Sequence, residues 1–179
     1  MIVSNDPEIA EMARRYRDYG KKSQWESVHT VVSANYRMSD LTAIMGLEHA
    51  RCLDGFIADR TVIANHYTRE LSGVLDLVKP QGRSSWYKYI AYLPKGMDRA
   101  AFKKELKNLG VSLAGGVYEL ALHSQPVFVE ASKGAQYPLA DDICARHICL
   151  PLFTGMTPAE MQHVTNSIAG LLSESGARR

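Results

Sequence analysis

The chain has 179 residues, of which 46% are hydrophobic and 22% are charged, and its 21 Lys and Arg against 19 Asp and Glu give a formal net charge of +2. This is the composition of a globular protein with enough apolar residues for a core, and the small net charge gives no reason to expect a nucleic-acid partner. The apolar runs fall far short of the roughly 20 residues that cross a membrane, so we expect no membrane partner either.

The first 72 residues have the pattern of long helices. Asp6 followed by Pro7 is typical of a helix start, and Gly20 is typical of a helix end. Ser39 precedes a second helical stretch, in which apolar residues recur at helical spacing to about Leu71. We predict that these helices form a helical N-terminal segment over residues 1–72, with a bend near residue 55.

After residue 72 the pattern changes to short strands and short helices. Asp98 and Pro138 mark two helix starts, while Thr157 and Glu160 have the spacing of a capping box before the last helix. Runs of β-branched and aromatic residues predict strands over 74–78, 86–93, 111–113 and 148–152. We therefore predict an α+β fold, with a small, mostly antiparallel sheet packed with helices over 73–173 and preceded by the long helices.

The cysteine, histidine and terminal patterns set further expectations. Cys52, Cys144 and Cys149 form no C-x-x-C pair, which indicates reduced thiols, and the six histidines do not have metal-ligand spacing. The spacing of these residues therefore gives no metal site. The first residues lack the basic and apolar stretches of a signal peptide, so we expect a cytoplasmic protein. We expect one domain over residues 1–179, with a frayed tail over 174–179.

Asn35 and Arg37 stand in a polar turn just before the second helical stretch. An amide and a guanidinium at a helix entrance suit an anion, because helix N-termini present free N–H groups. The alternative is that Asn35 only shapes the turn and that Arg37 is exposed to solvent. A basic run at 14–22 is expected to form a solvated helix face, and the alternative is a binding patch. The sequence has no glycine-rich phosphate loop, nucleophile elbow or zinc-protease motif, so we assign no catalytic residue.

Residues 33–60, SANYRMSDLTAIMGLEHARCLDGFIADR, resemble the signature that follows the lysine segment in DegT/DnrJ/StrS aminotransferases. The resemblance continues in the correct order along almost the whole chain. It includes Arg60, Ala64 and Tyr67 after the signature, the loop at 118–126, and the Leu-Pro-Leu at 150–152 before the last helix. This resemblance implies the C-terminal small domain of a fold-type I aminotransferase that depends on pyridoxal phosphate (PLP).

The resemblance also implies a function and a set of site residues. Enzymes of this family transfer an amino group, commonly from glutamate, to a keto sugar attached to a nucleotide, with PLP held on a lysine. They act as dimers with the active site at the subunit boundary. By resemblance, Asn35 reaches the PLP phosphate of the neighbouring subunit, Arg37 helps to neutralise phosphate or substrate charge, and Tyr118 and His123 border the sugar-nucleotide pocket.

The sequence departs from the family in the part that would carry the lysine. The PLP domain would precede residue 1, and none of the nine lysines stands in the family's lysine context. Thr42, Ile44 and His49 also replace the usual Gln, Ala and Gln of the signature helix. We therefore expect no bound cofactor for the chain alone.

Three hypotheses follow for its function. The first is a truncated or orphan aminotransferase domain that is inactive alone. The second is one half of a split enzyme that works with a separate PLP-domain chain. The third is a repurposed binding module for a small molecule or protein. We expect at least a homodimer under all three, because removal of a large domain uncovers apolar surface.

Overall fold

The computed structural model describes residues 2–113 and 115–177, and the chain divides into two compact units, Met1–Cys52 and Leu53–Arg179. The elements in chain order are α1 (Pro7–Arg17), α2 (Asp40–Leu71), β1 (Asp76–Leu77), β2 (Tyr89–Tyr92), α3 (Arg99–Asn108), a 3-10 helix (Leu122–Ser124), α4 (Pro138–Arg146), β3 (His147–Leu150) and α5 (Pro158–Ala177). The change of pattern near residue 72 coincides with the end of α2. The boundary between the two units along the chain falls earlier, inside that helix.

The helices begin at the capping residues that the sequence predicts. The Asp6 and Asp98 carboxylates each accept two backbone N–H groups in the first turns of α1 and α3. At α5, the Glu160 carboxylate accepts the N–H of Thr157 at 2.7 Å, and the Thr157 hydroxyl oxygen accepts the N–H of Glu160 at 3.3 Å. These bonds satisfy amide groups that have no partner inside a helix, so they fix where each helix starts.

Among residues 2–52 of the first unit, none belongs to the buried hydrophobic core. Helix α1 has no buried residue, and every residue over 41–55 of α2 is exposed. The large apolar side chains of α1 therefore face solvent in this chain. Ile9, Met12 and Tyr16 are each between 42% and 52% exposed.

The second unit is built around a three-stranded sheet of order β1-β2-β3, with both pairs antiparallel. The register places Asp76 opposite Tyr92 and Tyr89 opposite Leu150. The core packs this sheet against the end of α2, α3 and α5. Its fully buried members include Ala64, Tyr67, Leu71, Tyr89, Ala91, Leu106 and Ile168. The predicted α+β fold, with a small antiparallel sheet packed with helices, is confirmed.

Some predicted elements differ from the structure. The strand expected over 111–113 is wrong: these residues leave α3 through Gly110, at φ +83°, and pair with no strand among the described residues. Val111 is nevertheless 4% exposed, so its apolar side chain reaches the core from a loop. Helix α5 runs to Ala177, into the range predicted as a frayed tail, and residues 178 and 179 lie outside the described residues. The single-domain expectation stays a prediction.

Candidate functional site

The loop between α1 and α2 is tied back onto the C-terminal end of α1. The N–H of Tyr36 donates to the carbonyl of Arg17 at 3.0 Å, and the Ser33 hydroxyl donates to the carbonyl of Tyr16 at 2.6 Å. These carbonyls lie in the last turn of the helix, where backbone oxygens lack intrahelical partners. The polar turn that contains Asn35 is therefore held at the end of α1.

Gly20 makes this fold of the loop possible. It is buried, has φ +75°, and a Cβ at this position would lie 1.9 Å from the carbonyl oxygen of Val31. Its own carbonyl accepts the N–H of Thr30 at 2.8 Å and the Thr30 hydroxyl at 2.9 Å. Only glycine allows two backbone segments to approach this closely.

The structure brings Asn35 and Arg37 together. The Asn35 side-chain oxygen accepts the backbone N–H of Arg37 at 3.1 Å and lies 3.3 Å from its Nε. Arg37 Nε is also 3.6 Å from a carboxylate oxygen of Asp18, and the guanidinium carbon is 5.5 Å from the centre of the Tyr19 ring. Asn35 therefore shapes the turn, and Arg37 is 54% exposed at its side chain. The turn-shaping contact of Asn35 and the exposure of Arg37 agree with the alternative in which this turn has only a structural role. An exposed guanidinium can nevertheless contact an anion.

Arg37 lines a hollow of about 490 Å³ in the first unit, which we call the basic hollow. Five cationic side chains and one carboxylate line it, together with polar residues and a methionine: Arg14, Arg17, Asp18, Lys21, Lys22, Ser23, Gln24, Arg37 and Met38. Four of these cations belong to the basic run that the sequence predicts as a solvated face. Concentrated positive charge with guanidinium forks suits phosphate groups. The backbone carbonyls at the end of α1 also favour cations here, without any ligand.

A second hollow of about 1000 Å³ lies in the same unit and has mainly apolar walls. It shares Arg14, Arg17 and Met38 with the basic hollow, and Tyr16 and Tyr36 add two exposed aromatic rings. Apolar and cationic surfaces are thus contiguous. A ligand with a planar ring and a phosphate group would find complementary chemistry in both.

Tyr118 and His123 belong to the second unit. Tyr118 is 67% exposed on a loop. His123 is largely covered, with its Nε2 3.1 Å from a carboxylate oxygen of Asp141 and its ring 5.0 Å from that of Tyr137. The sequence-predicted pairs therefore divide between the units, with Asn35 and Arg37 in the first and Tyr118 and His123 in the second.

His147, which the sequence does not single out, anchors the loop that presents Tyr118. It is 3% exposed, and its Nε2 accepts the N–H of Val117 at 2.9 Å. Nδ1 therefore carries the ring proton and donates to the carbonyl of Ile143 at 3.0 Å. A Cβ on Gly116 would lie 2.6 Å from His147 Nε2, so the loop backbone packs directly onto the ring.

Glu119 forms the second anchor of this loop. Its carboxylate accepts the N–H of Gly116 at 3.2 Å and a guanidinium N–H of Arg99 at 2.6 Å, with Lys103 Nζ at 3.8 Å. The Gly116 hydrogen bond, helped by Arg99 and Lys103, lowers the pKa of Glu119. Arg99 also donates to the carbonyl of Cys144 at 2.6 Å and so connects α3, α4 and the loop.

Two further classes of site were predicted to be absent. Within 2–113 and 115–177, no three His, Cys, Asp or Glu side chains are grouped so that they could hold a metal ion. Among the same residues, no helix has the length and apolar character needed to cross a membrane.

Comparison with known proteins connects this chain to one aminotransferase family. The sequence profile of the DegT/DnrJ/EryC1/StrS aminotransferase family matches residues 1–169. A pleiotropic regulatory protein from Geobacillus stearothermophilus is 32% identical over 94% of this chain and 46% of the relative. GDP-perosamine synthase from Escherichia coli O157:H7 is 25% identical over 97% of this chain and 47% of the relative. The chain spans about half the length of these curated relatives.

Solved structures share the fold. NtdA from Bacillus subtilis, crystallised with bound cofactor PMP, superposes with a TM-score of 0.84 at 18% identity. That match covers 95% of this chain and 41% of NtdA.

Proposed function

Because this chain belongs to the DegT/DnrJ/EryC1/StrS aminotransferase family, we propose that it acts as the C-terminal part of a PLP-dependent aminotransferase for nucleotide sugars. The observation that carries this proposal is the basic hollow beside Asn35, with five cations and one carboxylate. The relative named GDP-perosamine synthase supports a nucleotide-linked sugar as the class of substrate. Both a nucleotide sugar and PLP carry phosphate groups, which the hollow is equipped to bind.

The residues of the first unit fit the phosphate end of the cofactor. When bound, PLP supplies the electron sink for amino-group transfer. In this chain Asn35 and Arg37 would hold its phosphate through amide and guanidinium N–H donors, and the neighbouring cations would offset its charge. These residues bind and orient, and none of them transfers a proton. We further propose that Tyr118 and His123 border the sugar-nucleotide pocket, with the anchored loop at 115–119 holding Tyr118 in place.

We propose that the chain is inactive alone and that the PLP-binding lysine comes from a PLP domain. The exposed apolar residues of α1 and of the first half of α2 support a partner at this surface, since large exposed apolar patches mark interfaces. This observation also favours the split-enzyme hypothesis, in which a separate PLP-domain chain covers the patch. We propose a homodimer as the assembly of the chain itself, and a cytoplasmic location.

The first experiment is a titration of the purified chain with PLP, followed by borohydride reduction and peptide mass mapping. We expect no stoichiometric label on any single lysine, so no cofactor held covalently by the chain alone, and only a reversible contact of the PLP phosphate that weakens when Arg37 is changed to Ala. Arg69→Ala, an exposed arginine of the second unit, is the matched control and should leave binding unchanged. One lysine labelled to completion would contradict the proposal that the PLP-binding lysine comes from a PLP domain, and equal binding by both variants would contradict the role of Arg37.

A further inference from the structure

The Tyr19 ring lies next to two cations that line the basic hollow. Lys21 Nζ is 5.8 Å from the ring centre, and the guanidinium carbon of Arg37 is 5.5 Å from it. Both distances are within the range of cation–π attraction. Tyr19 itself does not line the hollow, so any effect on a ligand there would act through these two side chains.

The backbone at Tyr19 is strained in a way that the surrounding loop maintains. Its φ is +55°, and Trp86 is the other described non-glycine residue with a positive φ. The Tyr19 N–H donates to the carbonyl of Ala34 at 3.1 Å, and its carbonyl lies 2.7 Å from Nδ1 of His29. A bulky residue in the left-handed region costs free energy and persists only where the surroundings over-determine it. The loop fixes this conformation, and the ring is left at the surface beside the cations.

The Tyr19 ring offsets part of the free energy that is needed to order several cationic side chains in the basic hollow. Lys and Arg side chains lose considerable rotamer freedom when they are ordered, and like charges gathered in one hollow repel each other. A ring that contacts both Lys21 and Arg37 restricts their motion before any ligand arrives. Groups that are already ordered bind an anion more tightly, because less entropy is lost on binding.

We propose that Tyr19 is a positioning residue, which holds Lys21 and Arg37 at the basic hollow and thereby raises its affinity for phosphate groups. This inference rests on the proposed function, in which the hollow takes a phosphate of the cofactor or of the nucleotide sugar. A functional tyrosine in this strained conformation also accounts for the absence of the glycine or asparagine that the backbone would favour.

The test uses variants that separate the ring from the backbone conformation. Tyr19→Phe keeps the ring, Tyr19→Asn keeps a residue that tolerates positive φ, and Tyr19→Gly removes both ring and strain. Tyr87→Asn is the matched control, because Tyr87 contacts Lys88 in the same way but belongs to the second unit. Calorimetric titrations use two probes, pyridoxine 5′-phosphate for the cofactor and inorganic pyrophosphate for the nucleotide. NMR follows the ring-current shift of the Arg37 side-chain protons.

We expect Tyr19→Phe and Tyr87→Asn to bind as the wild type does, and Tyr19→Asn and Tyr19→Gly to bind about 5- to 10-fold more weakly, as the loss of two exposed cation–ring contacts implies. The upfield shift of Arg37 should persist in Tyr19→Phe and vanish in Tyr19→Asn. The probe whose affinity falls identifies which phosphate source uses the hollow.

Equal affinity of wild type and Tyr19→Asn for both probes would overturn the positioning role and leave the proposed function intact. Equal weakening in Tyr19→Phe and Tyr19→Asn would also overturn it, because the ring would not be the cause. A wild type that binds neither probe would overturn the positioning role together with the phosphate site of the proposed function.

Discussion

Gly116 lies in the Tyr118 loop at a position where a Cβ atom would clash with neighbouring side chains. A Cβ there would lie 2.6 Å from Nε2 of the buried His147 and 3.0 Å from a carboxylate oxygen of Glu119. We expect Gly116→Ala to lower the free energy of unfolding by about 1–3 kcal/mol, since the ring must shift within a packed interior. Urea denaturation measures this change.

Gly115 provides the control for this substitution. A Cβ on Gly115 would have no neighbour within 4 Å, so Gly115→Ala should change stability by less than about 0.5 kcal/mol. If the two alanine variants unfold at the same urea concentration, the loop backbone is not packed on the histidine.

Glu119 gives the same loop a dependence on pH. Its pKa is lowered in the folded chain, mainly by the Gly116 hydrogen bond. A lowered pKa stabilises the fold above the ordinary value of 4.5, and this stabilisation is lost as pH falls through the lowered value. The side chain is 57% exposed, so solvent screening limits the effect to about a few tenths of a kcal/mol.

We therefore expect Glu119→Gln to be less stable than the wild type at pH 7 and equal to it once the pH has fallen below the lowered pKa of Glu119. Unfolding free energies measured across this range test the prediction. Glu130→Gln, at an exposed pair with Lys133, is the matched substitution away from this loop. A constant gap between wild type and Glu119→Gln at all pH values would exclude the carboxylate charge as the cause.

At the scale of elements, the capping box of α5 is the clearest target. Thr157→Ala removes the hydroxyl that accepts the N–H of Glu160, and it should cost about 0.5–2 kcal/mol. Thr157→Ser keeps the hydroxyl and should stay within a few tenths of a kcal/mol of the wild type. Thermal unfolding of the three proteins compares them, and equal midpoints would show that the cap adds nothing.

Local signals explain why most element boundaries could be predicted. Asp6, Asp98 and Thr157 cap helices through residues two or three positions away, so each pattern is visible in a short window of sequence. The 111–113 segment has a strand-like composition, but strand formation requires a partner, and a partner is a property of the whole fold. The role of His147 could not be predicted for a similar reason, because the Val117 amide that donates to its ring lies 30 positions away in the sequence.

At the scale of the whole molecule, the exposed apolar face of α1 and α2 should control assembly. Leu41, Ile44 and Met45 are between 56% and 71% exposed, more than apolar residues on one face of a monomer would be expected to be. We expect the wild type to sediment as a dimer and Ile44→Glu to dissociate at least about tenfold more readily. Val62→Glu, on the same helix in the second unit, is the control. A wild type that sediments as a monomer would contradict the proposed homodimer.

The candidate site could be predicted only in part. The turn at Asn35 and Arg37 could be predicted because the two residues lie two positions apart in the sequence and the family resemblance marks them. The basic hollow could not be predicted, because it forms only when Arg14 within α1, Lys22 after that helix and Arg37 come together in the fold. A basic run in sequence indicates only charge, and the folded loop determines whether the charges surround a common space.

Helix α2 is continuous from Asp40 to Leu71, yet only its C-terminal part packs against the core. Ile63, Ala64, Tyr67 and Leu71 are buried in the core, whereas every residue over 41–55 is exposed. A helical stretch without tertiary packing is marginal at this length. In the free chain, amide hydrogens of α2 should therefore exchange slowly near Tyr67 and rapidly before residue 52. On assembly, slow exchange should extend from Tyr67 toward the N-terminal end of the same helix.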